Sequence, residues 1–361
     1  MVADKLKVGI IGCGNIAPAY ITGCRMFPDV INLVACADLD DIRAQQFAAQ
    51  HNMQAQTVAA LLENPDLDLI INLTVPAAHA EISLAVVQAG KHVYSEKPLA
   101  TTLLDAQHLM QTAQQVGVRV GCAPDTFLGG GGQTSRRVID EGRIGQPVAA
   151  VGFMSQHGPD AWHPNPFFLF DVGGGPLLDM GPYYITALVN LLGPVKRIAA
   201  LAGIGLPERI AGNESIRGQK IPVNAPTHHT ALLEFHNGTM ATLITSFETW
   251  AHHLPTMEIY GTEGSLSMPD PNMFGGDVRL WTPDQQDWVI VPHQHRTDVQ
   301  RGIGVADMAQ AIQLGRPHRV SGELALHVLE VMLAAHQAAE SGQYVIIESR
   351  PPMPEALARL P

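Results

Sequence analysis

The first 120 or so residues alternate short apolar runs with segments of helical periodicity. This alternation is typical of β-α-β units arranged around a parallel sheet. Strands are predicted at 7–12, 31–37, 69–74, 92–94 and 119–122. Helices are predicted at 41–51, 79–89 and 102–116, with Gly90 as a left-handed cap of the second. The pattern therefore predicts an N-terminal α/β domain.

Beyond residue 124 the pattern changes to apolar and polar positions that alternate with a period of two. Segments 227–235 and 239–247 alternate in this way, and the Asn237-Gly238 pair between them is a strong hairpin signal. Further strands are predicted at 256–260, 265–268, 278–281, 288–291 and 344–347, and a helix at 324–339. We predict a C-terminal α+β domain with a large, mostly antiparallel open sheet, and a proline-rich tail, 350–361, on its surface.

Composition narrows the class of protein. Hydrophobic residues make up 46% of the chain, the formal net charge is −12, and no basic run is present, so neither nucleic acid nor an anionic membrane is a predicted partner. No apolar run reaches the roughly 18 residues that cross a bilayer, and segment 1–7 lacks the apolar core of a signal peptide. Cys13, Cys24, Cys36 and Cys122 form no CxxC pair and are predicted to be buried, reduced thiols of a cytoplasmic protein.

A glycine-rich turn follows the first predicted strand and opens a helix. Its sequence, GCGNIA at 12–17, is a G-x-G-x-x-A motif. Gly12 permits the tight turn, Gly14 lets the backbone approach a pyrophosphate, and the helix start at Asn15 and Ile16 presents N–H groups to the anion. We therefore predict that these four residues bind a dinucleotide. The expected organisation is a Rossmann domain at 1–123 and a substrate-binding and oligomerisation domain at 124–361.

Asp38 ends the second predicted strand, where an acidic residue bonds the adenosine ribose in such domains. A carboxylate at this place repels a 2′-phosphate, so NAD is the predicted coenzyme and NADP is less favoured. Arg43 nearby would reduce this discrimination between NAD and NADP. The alternative is that Asp38 caps the helix beginning near Asp41, although Asp40 is also available as a cap.

Two further segments resemble the Gfo/Idh/MocA oxidoreductase family, named for glucose–fructose oxidoreductase and inositol dehydrogenase. One runs from TVPAAH at 74–79 through AGKHV at 89–93 to EKP at 96–98, and the other is GGGPLLDMGPY at 173–183. Segments 142–145 and 260–266 fit as well, so the resemblance covers nearly the whole chain. It implies a cis peptide bond between Lys97 and Pro98. It also implies coenzyme contacts from Thr74, Pro76, His79, Glu96 and Lys97.

Hydride transfer from a carbinol requires a proton acceptor and a cation beside the developing alkoxide. Lys97 follows the end of a strand, where open α/β sheets bind ligands, and is predicted to polarise the substrate oxygen. The alternative is an ordinary surface lysine. Asp179 and Tyr183 lie four residues apart, on one face of a helix. Many family members have histidine at the second of these positions, whereas this sequence has tyrosine. The difference points to Tyr183 as the acid/base. The alternative is a buried structural tyrosine bonded to Asp179.

Other substrate contacts are predicted beside Lys97, Asp179 and Tyr183. Asp125 either bonds a sugar hydroxyl or occupies a turn, and the four glycines at 129–132 either lie close to substrate or form a flexible loop. The Trp162-His163 pair resembles a substrate-facing segment of the family, and an indole is suited to stacking on a sugar ring.

The sequence therefore predicts an NAD-dependent oxidoreductase that acts on a carbinol of a sugar, polyol or glycoside. The resemblance implies a homodimer or homotetramer formed through the open face of the C-terminal sheet. Two alternatives remain: a redox-neutral NAD-dependent glycosidase or lyase, and a non-catalytic dinucleotide-sensing regulator. Lys97, Asp179 and Tyr183 argue against the regulator.

Paired histidines occur at 228/229, 252/253 and 293/295. They are interpreted as packed or solvated, because neighbours in a strand face opposite sides, and no metal is predicted.

Overall fold

A computed structural model describes residues 5–358 of the protein. Residues 1–4, which belong to the segment inspected for a signal peptide, and the last three residues of the proline-rich tail lie outside that range. The chain divides into two compact units, 1–129 with 298–329 and 130–297 with 330–361. Over residues 5–358, none of the helices combines the length and apolar character needed to span a membrane.

The first unit contains the predicted parallel sheet. Its strands are β1 (Leu6–Ile11), β2 (Ile31–Ala37), β3 (Gln54–Ala55), β4 (Leu69–Asn72), β5 (His92–Ser95) and β6 (Val120–Cys122). They lie in the order β3-β2-β1-β4-β5-β6, which is the order of a Rossmann sheet. The order reverses between β1 and β4, so the carboxyl ends of these two strands form the edge at which such sheets bind dinucleotides.

Four helices lie at nearly the predicted places: α1 (Ala17–Cys24), α2 (Asp41–His51), α4 (His79–Gln88) and α5 (Leu103–Val116). A further helix, α3 (Val58–Glu63), was not predicted. The Thr102 hydroxyl accepts the N–H of Asp105 and so caps α5 at its start. Gly90 has a φ of 76°, which confirms the left-handed conformation predicted after α4.

The second unit contains a large sheet that is mostly antiparallel, as predicted. Its strands are β7 (Pro147–Ser155), β8 (Val195–Gly203), β11 (His228–Phe235), β12 (Met240–Ser246), β13 (Met257–Gly261), β14 (Ser265–Met268), β15 (Arg279–Trp281), β16 (Val289–Ile290) and β17 (Val345–Ile346), with a separate pair β9 (Glu208–Ile210) and β10 (Lys220–Pro222). The order is β16-β15-β14-β13-β7-β12-β11-β8-β17, and β7 and β12 run parallel. Gly238 turns the predicted hairpin with a φ of 89°.

Helices complete both units: α6 (Gly130–Asp140), α7 (Phe167–Phe170), α8 (Gly175–Leu192), α9 (Ile303–Leu314) and α10 (Gly322–Ser341). Helix α9 belongs to the first unit and α8 to the second. The C-terminal tail packs along α6, where Arg136 donates to the carbonyl of Pro354 and Gln133 accepts the N–H of Leu357.

The four-glycine segment does not form the expected loop, because α6 begins at Gly130. A Cβ atom at Gly130 would lie 2.6 Å from the Thr297 side chain, and one at Gly131 would lie 2.8 Å from the Pro269 ring. These glycines therefore allow close packing inside the second unit. The expectation of a four-glycine loop at 129–132 is wrong.

A buried histidine on the second sheet faces helix α10. His229 on β11 is 1% exposed, and its ring centroid lies 4.9 Å from that of His336 on α10. Among the described residues, neither ring nitrogen of His229 has a hydrogen-bond partner. Burial lowers the pKa of His229 to about 3, with smaller contributions from His336 and His228. The ring is therefore neutral near neutral pH.

We expect His229 to make the fold sensitive to acid. Unfolding returns the ring to a pKa near 6.5, so below that pH the unfolded chain binds a proton that the folded chain does not. The stability contributed by His229 is complete above a pH of about 6.5 and is lost as the pH falls towards 3, by at most about 1.4 kcal/mol per pH unit.

The variant His229→Phe removes the titrating group and two unsatisfied nitrogen atoms. Its melting temperature, followed by circular dichroism between pH 7 and pH 5, should fall less steeply than that of the wild type. The variant His108→Phe, at an exposed position of α5, serves as the control and should keep the wild-type slope. Equal slopes for His229→Phe and wild type would contradict the assignment.

Candidate active site

The glycine turn after β1 is built to receive an anion. Gly12 has a φ of 98°, and a Cβ atom there would lie 2.6 Å from the carbonyl oxygen of Leu73. At Gly14 the opposite holds, because a Cβ atom added there would have no neighbour within 4 Å. The cap of α1, Ile16, makes no side-chain hydrogen bond to the helix start. The turn and the exposed Asn15 beside it thus leave room for a pyrophosphate against the helix N-terminus.

Asp38 lies at the end of β2 and bonds to the glycine turn. Its Oδ2 accepts the N–H of Cys13 at 2.8 Å, and its Oδ1 accepts the N–H of Asp40 at 3.0 Å. The helix cap is Asp40, whose Oδ1 accepts the N–H groups of Ile42 and Arg43. The alternative of Asp38 as the cap of α2 is therefore wrong. Asp38 is positioned beside the coenzyme turn instead.

A buried hydrogen-bond network joins the end of β4 to the loop after β5. Asn72 donates to the carbonyl of His79, and its Oδ1 accepts the hydroxyl of Thr74 at 2.7 Å. The His79 ring lies between two carbonyl oxygens, with Nδ1 2.7 Å from Pro98 O and Nε2 3.0 Å from Thr74 O. Burial lowers the pKa of His79. With 1% of its surface exposed, His79 is better placed to hold these two loops than to contact the coenzyme itself.

Pro76 lies in the same segment and is exposed at the start of a short 3-10 turn. Asn72 is the residue that the sequence analysis missed. A polar side chain inside the continuous apolar strand LIINLT at 69–74 was the available signal, since a buried amide must find hydrogen-bond partners.

The loop after β5 carries the Glu96-Lys97-Pro98 segment. Glu96 is buried, and its two oxygens accept the Tyr20 hydroxyl at 2.8 Å and the N–H of Lys97 at 2.9 Å. Burial, together with the same glutamate, raises the pKa of Tyr20. Lys97 is half-buried, and its peptide bond to Pro98 is cis, as the resemblance implies. Glu96 thus fixes the backbone from which the Lys97 side chain extends.

Asp125 is fully buried in the first unit. Its Oδ2 accepts the N–H groups of Gly302 and Gly304 at 2.8 and 3.0 Å, at the start of α9. Burial raises the pKa of this carboxyl group. A carboxylate at a helix N-terminus stabilises the helix. The environment therefore favours a structural role for Asp125 over contact with a sugar hydroxyl.

Asp179 and Tyr183 lie one turn apart near the start of α8, in the second unit. Asp179 is half-buried and Tyr183 is 4% exposed. The glycines before them permit a crowded entry to the helix, because a Cβ atom at Gly174 would lie 2.5 Å from the carbonyl oxygen of Phe168. The start of the helix that carries the pair is therefore closely packed. Lys97 belongs to the other unit, and its action together with this pair stays a prediction.

Trp162 and His163 lie in the second unit between β7 and α7. Trp162 is 60% exposed, while its carbonyl accepts the amide of Asn213 at 2.8 Å. His163 lies edge-on to Trp162, at 5.5 Å between ring centroids, and edge-on to Phe168. An exposed indole on an anchored backbone has the geometry required of a stacking surface.

The four cysteines are free and buried, as predicted. Across residues 5–358, no three side chains of histidine, cysteine, aspartate or glutamate are grouped so as to hold a metal ion.

Comparison with known proteins adds to this picture. Residues 6–123 match a family model described as an oxidoreductase family with an NAD-binding Rossmann fold. Residues 133–267 match the model of the GFO/IDH/MocA C-terminal domain. The two matched regions lie one in each half of the predicted domain division.

Individual relatives agree with the family models. The 1,5-anhydro-D-fructose reductase of Ensifer adhaerens is 27% identical over 264 residues, which are 72% of this chain and 74% of that protein. The inositol 2-dehydrogenase of Pseudomonas fluorescens is 30% identical over 150 residues, 40% of this chain and 44% of that protein. A structure of levoglucosan dehydrogenase with NADH and levoglucosan superposes with a TM-score of 0.82, covering 96% of this chain and 100% of that chain at 21% identity, which shows a shared fold.

Proposed function

The chain belongs to the Gfo/Idh/MocA family of NAD-binding oxidoreductases, and from this premise we propose that it oxidises or reduces a carbinol centre of a sugar, polyol or glycoside. The observation that carries the proposal is the Glu96-anchored Lys97 at the carboxyl edge of a coenzyme-binding sheet. Relatives named for anhydrofructose, inositol and levoglucosan support a substrate with several hydroxyl groups.

The coenzyme is held by the first unit in this proposal. The backbone at Gly12, Gly14, Asn15 and Ile16 receives the pyrophosphate, and Asp38 accepts a ribose hydroxyl. The open space at Gly14 and the fixed orientation of Asp38 fit such a ligand. When bound, NAD supplies a hydride acceptor for the carbinol carbon. Thr74, Pro76, His79 and Glu96 shape this edge, and we assign His79 and Glu96 to positioning the loops rather than to direct contact.

Side chains of the protein then stabilise the charge that develops on the substrate oxygen and transfer the hydroxyl proton. The Lys97 ammonium group stabilises negative charge on the substrate oxygen as the hydride leaves, because a nearby cation is most effective where charge develops. Tyr183, as its phenolate, accepts the hydroxyl proton during oxidation and, as the phenol, donates it back during reduction. Asp179, one helical turn away, orients the phenol. Trp162 and His163 supply a stacking surface and a polar neighbour for the sugar ring.

Assembly and location form part of the proposal. Leu201, Leu232 and Met240 lie on adjacent strands of the second sheet and are 72%, 50% and 61% exposed. Exposed apolar area of this kind is typical of an interaction surface, and we propose a homodimer or homotetramer formed through it in the cytoplasm, where reduced thiols persist. Light scattering coupled to size-exclusion chromatography would measure the mass, and a monomer would contradict this part.

A substrate screen tests the proposed reaction. Levoglucosan, inositols, 1,5-anhydro-D-fructose and a set of glycosides are incubated with NAD or NADH, and the absorbance of the reduced nicotinamide is followed. At least one carbinol should form NADH in equal amount to the oxidised product. Cleavage of a glycoside without net NADH formation would favour the redox-neutral alternative, and coenzyme binding without turnover of any compound would favour the regulator.

A further inference from the structure

Two loops leave the second sheet at the same edge. Strands β7 and β12 run parallel and end opposite each other, with Ser155 paired to Ser246. The contact continues beyond the strands, because the N–H of Gln156 donates to the carbonyl of Ser246 at 3.0 Å. The β7 loop (156–166) and the β12 loop (247–256) therefore start side by side.

A buried arginine joins the two loops. The Arg209 side chain, on β9, is 2% exposed. Its Nη1 donates to the carbonyl of His157 at 3.0 Å, and its Nη2 donates to the carbonyl of Phe247 at 2.6 Å. The guanidinium group also forms ion pairs with Glu248 at 2.9 Å and with Asp160 at 3.7 Å. Because a buried charge requires such partners, Arg209 holds the starts of both loops together.

Each loop carries an exposed indole. Trp250 is 82% exposed, although one face of its ring is stacked on His157, with 3.4 Å between centroids and 17° between planes. Trp162 follows His157 by five residues and is 60% exposed. Five residues span at most about 18 Å, and the 3-10 turn Pro159–Ala161 shortens this path. The two indoles are therefore near neighbours on the surface of the second unit.

The charges beside the indoles restrict the ligand. Glu248 and Asp160 (−2) with Arg209 (+1) leave a net charge of −1, which disfavours a phosphate group at this place. The cores of protein interfaces are depleted of charged residues. Aromatic faces combined with a few polar groups are instead typical of sites for small molecules. A neutral ring with an apolar face and hydroxyl groups at its edge fits this combination best.

We propose that Trp250, supported by His157, binds the second ring of a neutral glycoside whose first ring lies at Trp162. The inference rests on the proposed function and narrows its substrate class to glycosides with at least two rings. A nucleotide-linked sugar is disfavoured, because its diphosphate would lie against the carboxylates of Glu248 and Asp160.

The experiment measures sugar binding to the protein with NADH bound, by saturation-transfer NMR. The probes are glucose, cellobiose, maltose and dTDP-glucose, so turnover is not needed. The wild type should bind cellobiose or maltose about tenfold more tightly than glucose, the scale of one additional stacked ring, and both rings of the disaccharide should receive saturation.

The variant Trp250→Ala should bind that disaccharide about tenfold more weakly and glucose within about threefold of the wild type. Trp250→Phe keeps an aromatic face and should retain most of the preference. Trp288→Ala is the matched control, because Trp288 is also exposed but precedes β16 at the far edge of the sheet. It should behave as the wild type does. The dissociation constant of NADH, unchanged in all three variants, would show that each is folded.

Failure to bind either disaccharide more tightly than glucose, or a preference that survives Trp250→Ala, would overturn the proposal. So would Trp250-dependent binding of dTDP-glucose that is tighter than that of the disaccharides, which would assign the indole to a nucleobase. A lower mass of Trp250→Ala in light scattering would assign it to a protein interface instead.

These failures differ from failure of the proposed function. Oxidation of a carbinol by a wild type without the disaccharide preference would overturn only the second-ring site. A screen in which no carbinol forms NADH would overturn the proposed function, whatever the affinities for the disaccharides.

Discussion

Replacing Tyr183 by phenylalanine is expected to lower kcat about a hundredfold or more, because general acid–base catalysis contributes roughly 10² to 10⁴ in rate. The substitution removes only a hydroxyl from a buried ring on α8, so the fold should survive. NAD affinity should be nearly unchanged, since the residues assigned to the coenzyme lie in the first unit. The measurement is kcat with a substrate identified by the screen, together with the dissociation constant of NADH from fluorescence quenching.

The pH dependence separates proton transfer from a purely structural role. Oxidation by the wild type should accelerate as the pH rises and the acceptor loses its proton. Tyr183→His should recover part of the activity and shift the profile towards acid, because imidazole ordinarily has a pKa near 6.5 and a phenol one near 10.

A matched control is Tyr184→Phe, which alters the adjacent tyrosine of the same helix, also buried. It should retain kcat within about threefold, as an ordinary substitution that leaves acid–base groups in place. If Tyr183→Phe keeps more than about a tenth of the wild-type kcat, proton transfer belongs to another group.

The second large effect concerns Lys97. Lys97→Met keeps much of the side-chain length and removes the charge, and kcat should fall by roughly two to four powers of ten. NAD affinity should change little, because the ammonium group is assigned to the substrate oxygen. Lys7→Met, at an exposed lysine paired with Asp66 in the same unit, is the control and should leave turnover unaltered. Normal turnover by Lys97→Met would show that this lysine is structural.

The sequence predicts the parallel sheet closely because a strand buried on both faces is a continuous apolar run. The run at 69–74, for example, contains β4 (Leu69–Asn72). It does not predict β7 or β8, although each has nine residues. Alanine and glycine occupy many positions of both strands. Burial therefore alternates along β7, although the hydrophobicity of successive residues changes little. The glycine run at 129–132 was interpreted as a loop for a related reason, because glycine is favoured both where a chain is flexible and where it packs closely.

The residues of the candidate site could be predicted from the sequence, but their hydrogen-bond partners could not. The glycine turn, Asp38 and the Glu96-Lys97-Pro98 segment carry recognisable spacings. The partners of His79 are backbone carbonyls, which every residue possesses, so no pattern of side chains reveals them. The same holds for Asp125, whose donors are N–H groups about 180 positions further along the chain.

That long-range bond has a consequence for biosynthesis. The first unit consists of 1–129 and 298–329, so its polypeptide is interrupted by most of the second unit. While the ribosome is still translating the intervening residues, Asp125 lacks its donors, and β6 lacks the contact that Cys122 N makes with the carbonyl of Val320. The nascent coenzyme-binding half therefore cannot reach its final state until residue 329 has left the exit tunnel. Expression of 1–129 alone would leave a carboxylate and the flank of a sheet uncovered.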